Sequence, residues 1–151
     1  MKSVRMFSAL LLIAALLSVG IAAPDTTALK PEDLAKIEKD WGIKPLTVRL
    51  TGADHFLDFR YRVIDPEKAQ ALLKRKLTVY LIHQPSGTNM SIPITKIGPM
   101  RGTAVAPVPD RNYVILFNNV QKLTHSGDPV TIVIGDCRIE NMKVDLPAAT
   151  Q

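Results

Sequence analysis

Residues 56–65 read FLDFRYRVID, and in them Leu57, Phe59, Tyr61 and Val63 alternate with Asp58, Arg60 and Arg62. A period of two puts one set of side chains on each face of an extended strand, so this segment makes a β-strand with one buried and one wet face. The same grammar fills the chain after Pro45. LTVRLT, KLTVYLIHQ, NMSIPI, NYVILFNN, PVTIVIG and CRIENMKVD are short β runs, divided by Gly52-Ala53-Asp54, Pro85-Ser86-Gly87, Ser126-Gly127-Asp128 and Gly135-Asp136. About seven short strands at this spacing predict an antiparallel, immunoglobulin-like β-sandwich rather than a parallel sheet.

The first two runs form one expected hairpin and the third and fourth another. Pro93 makes the last of these four an edge strand or a short one, because proline cannot donate to a ladder. Residues 96–111 hold Gly98, Pro99, Gly102, Pro107 and Pro109 and predict a long, turn-rich connection with one weak strand at 103–106. Tyr113 opens a strand after a Pro-Asp turn, as the tyrosine of a tyrosine corner does, although the cysteine and tryptophan that flank it in immunoglobulin domains are missing.

Two short helices complete the expected mostly-β fold. In PEDLAKIEKDWG, Pro31 suits the first helical position, Glu32 and Asp33 favour the first turn, and Gly42 is a natural stop. Leu34, Ile37 and Trp41 share one face, and Trp41 is expected to pack on the sandwich. In DPEKAQALL, Asp65 can cap, Pro66 can start a turn of helix, and Leu72 and Leu73 turn inward.

Lys2 and Arg5 precede an apolar run from Met6 to Val19, followed by the small residues Gly20, Ala22 and Ala23. This is the layout of a secretory signal peptide, and the run is short of the roughly 20 residues of a membrane span. Cleavage is expected after Ala22, since Pro24 would hinder the peptidase one position later. The expected organisation is a signal peptide over 1–22, a flexible lead over 23–30, one domain over 31–147 and a tail over 148–151, in a periplasmic or secreted protein. Of the 19 Lys and Arg, two leave with residues 1–22, so 17 basic face 14 acidic residues in the mature chain. That balance has no basic stripe of the kind a nucleic-acid binder needs.

Cys137 is the single cysteine, so no intramolecular disulfide forms, and it is expected to be a small buried hydrophobe. The residue types of a nucleophilic hydrolase exist in His55, His83, His125, the serines and the aspartates, but no G-x-S-x-G accompanies them. The acids Asp54, Asp58, Asp65, Asp110, Asp128 and Asp136 sit mostly at turns, where aspartate satisfies its own backbone. No phosphate-binding, dinucleotide or H-E-x-x-H motif occurs, and no cofactor is expected. Soft ligands for copper or zinc exist, yet none is paired at a ligand spacing, so a site of His83, Met90, His125 and Cys137 would have to be assembled by the fold.

The charged face of the opening strand has two readings. Asp58 between arginines describes a solvated ladder of mixed charge. Alternatively Arg49, Arg60, Arg62 and, from the loop GPMRG, Arg101 form a patch that grips a carboxylate or an acidic partner.

The blocks W-G-I, L-D-F-R-Y-R-V-I-D-P-E-K-A and G-D-P-V-T-I-V-I-G-D resemble a group of small exported bacterial proteins of uncharacterised activity, over about residues 41–144. The resemblance implies no activity and no site. The expected function is a non-catalytic binding or accessory module of the periplasm, with an unknown protein or anionic partner and with membrane contact only through an uncleaved signal segment. A copper or zinc protein and a hydrolase are the alternatives.

Overall fold

The computed structural model describes residues 29–145. The signal peptide with its cleavage after Ala22, most of the lead and the 148–151 tail lie outside the described residues. Helix α1 (Pro31–Trp41) carries its proline in the first turn with Glu32 and Asp33. It ends where Gly42 takes a left-handed φ of 66° and donates its N–H to the Glu38 carbonyl. Leu34 and Ile37 are buried and Trp41 packs on the core. Leu29, expected in a flexible lead, is also part of that core.

Strand β1 (Ile43–Thr51) pairs antiparallel with β2 (Phe56–Val63) around Gly52, Ala53 and Asp54, all at positive φ. β1 starts before Pro45 rather than after it. An edge strand tolerates a proline, here beside a register shift between Pro45 and Thr47. Asp65 then caps the one-turn helix α2 (Pro66–Ala69), its Oδ1 accepting the Glu67 and Lys68 N–H groups at 3.1 and 3.3 Å. A tighter turn over Gln70–Leu73 buries Leu72 and Leu73.

β3 (Val79–His83) and β4 (Thr88–Ser91) form the second hairpin, and β4 is indeed a short edge strand. A two-stranded ribbon follows, β5 (Ile94–Thr95) with β6 (Gly98–Pro99). β7 (Asn112–Asn118), β8 (Pro129–Ile134) and β9 (Cys137–Lys143) complete the chain. No strand forms at 103–106. The backbone there bonds elsewhere, with the Ala104 N–H on the Leu73 carbonyl, and the extended pairing falls just before it, where Gly102 donates to Val114 and Leu116 to Met100.

The seven main strands make two sheets of order β1-β2-β7 and β4-β3-β8-β9, the mostly-β antiparallel sandwich. Leu57, Phe59, Tyr61, Val63, Ile115 and Phe117 of one sheet meet Leu81, Met90, Val130, Ile132, Ile134, Ile139 and Met142 of the other in one core cluster. Phe59, Tyr61 and Tyr113 stack in a row with ring centroids 5.5 and 5.9 Å apart. The Tyr113 hydroxyl accepts the Val108 N–H at 3.3 Å, which pins the end of the long connection as a tyrosine corner does. It does so on β7, the fifth of the seven main strands in chain order, with no disulfide between the sheets.

Each side of the sandwich is partly covered, which shields part of its strand edges. On one, β1 meets the end of β9 through a parallel bridge of Val48 with Val144, and the Asp145 N–H bonds the Val48 carbonyl at 2.7 Å. On the other, the strip at 100–102 covers β7, with Arg101 opposite Ile115.

Candidate binding surface

The outward face of β2 carries Asp58, Arg60 and Arg62, as the alternation predicts. Arg60 grips Asp58 through Nε and Nη2, at 3.1 and 2.8 Å, and Arg49 on the facing strand reaches the same carboxylate at 3.9 Å. Arg62 Nε donates to Asn112 Oδ1 at 3.0 Å. The hydrogen bond and charge of Asp58 hold the Arg60 guanidinium above its usual pKa. These three arginines are thus engaged along the strands, in a ladder of mixed charge.

Arg101 is not part of that face. Arg60 lies opposite Val114, an outward position, whereas Arg101 lies opposite Ile115, an inward one. Its guanidinium therefore turns toward the buried Tyr61 at the sandwich margin, and Nη2 donates to the Lys74 carbonyl. Nη1 is buried with no hydrogen-bond partner among the described residues, and this burial pushes the Arg101 pKa down. Burial likewise pushes the Tyr61 hydroxyl up.

Arg101 instead marks a second surface, where the 94–108 connection lies against residues 70–76. Gln70 Nε2 donates to the Val105 carbonyl at 3.0 Å, and with Arg101 on Lys74 and Ala104 on Leu73 it latches the two segments together. Two clefts open between them. One, of about 340 Å³, is bordered by Arg75, Thr95, Ile97, Met100, Arg101 and Thr103. The other, of about 470 Å³, is bordered by Gln70, Leu73, Lys74, Arg75, Ala104 and Val105. Arg75 borders both.

Of the eight large hydrophobic side chains left exposed among the described residues, five lie in this connection: Ile94, Ile97, Met100, Val105 and Val108. Ile97 is 93% and Val105 91% exposed. Around them the charge is one-sided. Residues 68–109 contain Lys68, Lys74, Arg75, Lys76, Lys96 and Arg101 and no aspartate or glutamate, although the chain has 14 acids. That gap was readable in the sequence, and it is the signal that points to Lys74, Arg75 and Lys76, which strand periodicity does not single out. Acids gather elsewhere, as at the cleft of about 400 Å³ between α1 and β9, where Asp33, Asp40, Asp136 and Glu140 stand with Lys36 and Arg138.

The candidate metal ligands do not converge. His83 is buried, with Nδ1 2.8 Å from Ser86 Oγ and Nε2 3.2 Å from Asp128 Oδ2. His125 is exposed and approaches the same carboxylate at 3.7 Å. The Met90 sulfur faces the Thr124 hydroxyl at 3.6 Å. Cys137 lies opposite Ile134, which pairs with Val79, so it occupies the other end of the sheet from His83, roughly 13 Å along the strand. No group of three or more His, Cys, Asp or Glu among the described residues is placed to hold a metal ion. Burial pushes the Cys137 thiol up to about 12, away from the thiolate that a metal needs.

Sequence spacing did not single out the line Ser86–His83–Asp128, in which His83, at the end of β3, joins a serine in the following turn to an aspartate 45 residues further on. His83 Nε2 thus faces the Asp128 carboxylate and Nδ1 faces the Ser86 hydroxyl. The Ser86 hydroxyl also lies 2.9 Å from Thr88 Oγ1 and accepts the Thr88 N–H, as a serine in a turn does. The line therefore ties the β3–β4 turn to the turn before β8.

Comparison with protein-family models, with curated proteins and with solved structures finds no match for this chain.

Proposed function

We propose that the chain is an exported, non-catalytic binding module that engages an anionic partner through the surface formed by residues 74–76 and 94–105. One observation carries this reading: exposed aliphatic side chains and an acid-free stretch of lysine and arginine coincide on a single latched surface. Five exposed large hydrophobic side chains gathered in one connection exceed the scattered single ones that are ordinary on a surface, and the sign of the nearby charge selects the partner. The Arg49, Arg60 and Arg62 ladder supports this role less well, because Asp58 and Asn112 already occupy its donors.

Retention on immobilised heparin, used as a generic anionic probe, tests the assignment. Replacing Lys74, Arg75 and Lys76 by Gln should move elution to clearly lower salt, while Arg60→Ser with Arg62→Ser leaves it nearly unchanged. The reverse pattern would return the site to the strand face.

The Ser86–His83–Asp128 line supports a second reading, acyl transfer. Ser86 Oγ would attack the carbonyl carbon of an ester while its proton passes to His83 Nδ1, oriented by Asp128, and the imidazolium would return that proton to the alcohol that leaves as the ester C–O bond breaks. Labelling of Ser86 by a fluorophosphonate, lost in His83→Ala, is the result this reading requires. An unlabelled Ser86 leaves the line as a strap between turns.

A further inference from the structure

The geometry points to an anionic phospholipid surface as the partner of the basic, apolar face. The inference rests on the binding role proposed for that face, and it goes beyond membrane contact through a signal segment alone. Ile97 and Val105 stand almost wholly in solvent, each beside turn-forming residues, Gly98 and Pro99 after the first and Pro107 near the second. They project as separate knuckles rather than lining one groove. A protein partner would need a pocket for each, whereas a lipid interface accepts protruding aliphatic side chains with no matching shape.

The charges stand where such a docking requires them. Arg75 borders the cleft that Ile97 lines and the cleft that Val105 lines, and Lys74 and Lys76 flank it in sequence. Long basic side chains can lay their stems along the apolar surface and place their charges among lipid phosphates. No carboxylate between residues 68 and 109 opposes them. The latches from Gln70 to Val105 and from Arg101 to Lys74 hold knuckles and charges in one arrangement before contact, so little order is lost on docking.

The test is co-sedimentation of the chain starting at Ala23, which retains both sheets and the core, with vesicles of phosphatidylcholine alone or mixed in equal parts with phosphatidylglycerol. The expected result is binding to the mixed vesicles and not to pure phosphatidylcholine. Ile97→Asp with Val105→Asp, and separately Gln at positions 74, 75 and 76, should each weaken it by about tenfold or more. All these positions are exposed, and circular dichroism checks that the variants keep the fold. Failure to bind the mixed vesicles, with heparin retention still dependent on 74–76, would overturn the lipid assignment and leave an acidic macromolecule as the partner. Loss of both would overturn the binding role itself. Undiminished vesicle binding by the double aspartate variant would overturn insertion of the knuckles.

Discussion

Asp128 joins three groups at one carboxylate. Burial works to raise its pKa, but the His125 N–H, at 2.8 Å, and the His83 ring, with the charge of both imidazoles, outweigh burial and hold the carboxyl below its ordinary value. A carboxyl so lowered contributes its full stability above the unfolded pKa, about 3.9, and loses it as pH falls through the folded value. Urea unfolding should therefore show a gap between the wild type and Asp128→Asn that is constant near neutrality and shrinks below about pH 4. Cys137 offers a second check at this scale. Its buried thiol, raised to about 12, should ignore a thiol reagent in the native protein and react only on unfolding, with no disulfide-linked dimer on a non-reducing gel.

Among the elements, the junction of α1 with the first hairpin depends on Gly42. Its φ is left-handed, and a Cβ there would lie 2.5 Å from the Asp65 carbonyl oxygen while Ile64 and Asp65 donate to the Gly42 carbonyl. Gly42→Ala should cost at least about 1–2 kcal/mol in chemical denaturation. Phe59→Ala, fully buried at one end of the aromatic row, should cost about 3–5 kcal/mol. The helix stop at Gly42 and the inward side of β2 were both legible, because each follows from local chemistry: a left-handed residue without a Cβ, and a period of two. The strip at 100–102 was not. Its pairing with β7 is set by long-range register, while local propensity favoured the Thr-Ala-Val run just beyond it. The same register decides that Arg101 faces inward, so grouping it with Arg60 and Arg62 by charge could not succeed from sequence. The Asn119 side chain is another long-range fastener: it bonds the Asp54 carbonyl and both backbone groups of Thr124, from a position that strand periodicity leaves unremarked.

At the scale of the whole molecule, acids collect at the cleft between α1 and β9 and bases along the 68–109 stretch, so the modest excess of 19 basic over 14 acidic residues in the chain conceals a polar distribution. Capture of an anionic surface by the basic side should weaken steeply as salt rises, since charges beyond a Debye length of about 10 Å are screened at 0.1 M. The most direct measurement of which side works is photo-crosslinking of the protein in its own cells, with benzoylphenylalanine in place of Ile97 or, separately, Arg60. Adducts of lipid or protein formed from position 97 and not from position 60 are the expected result. Adducts from position 60 alone would contradict the assignment and make the charged face of β2 the binding site.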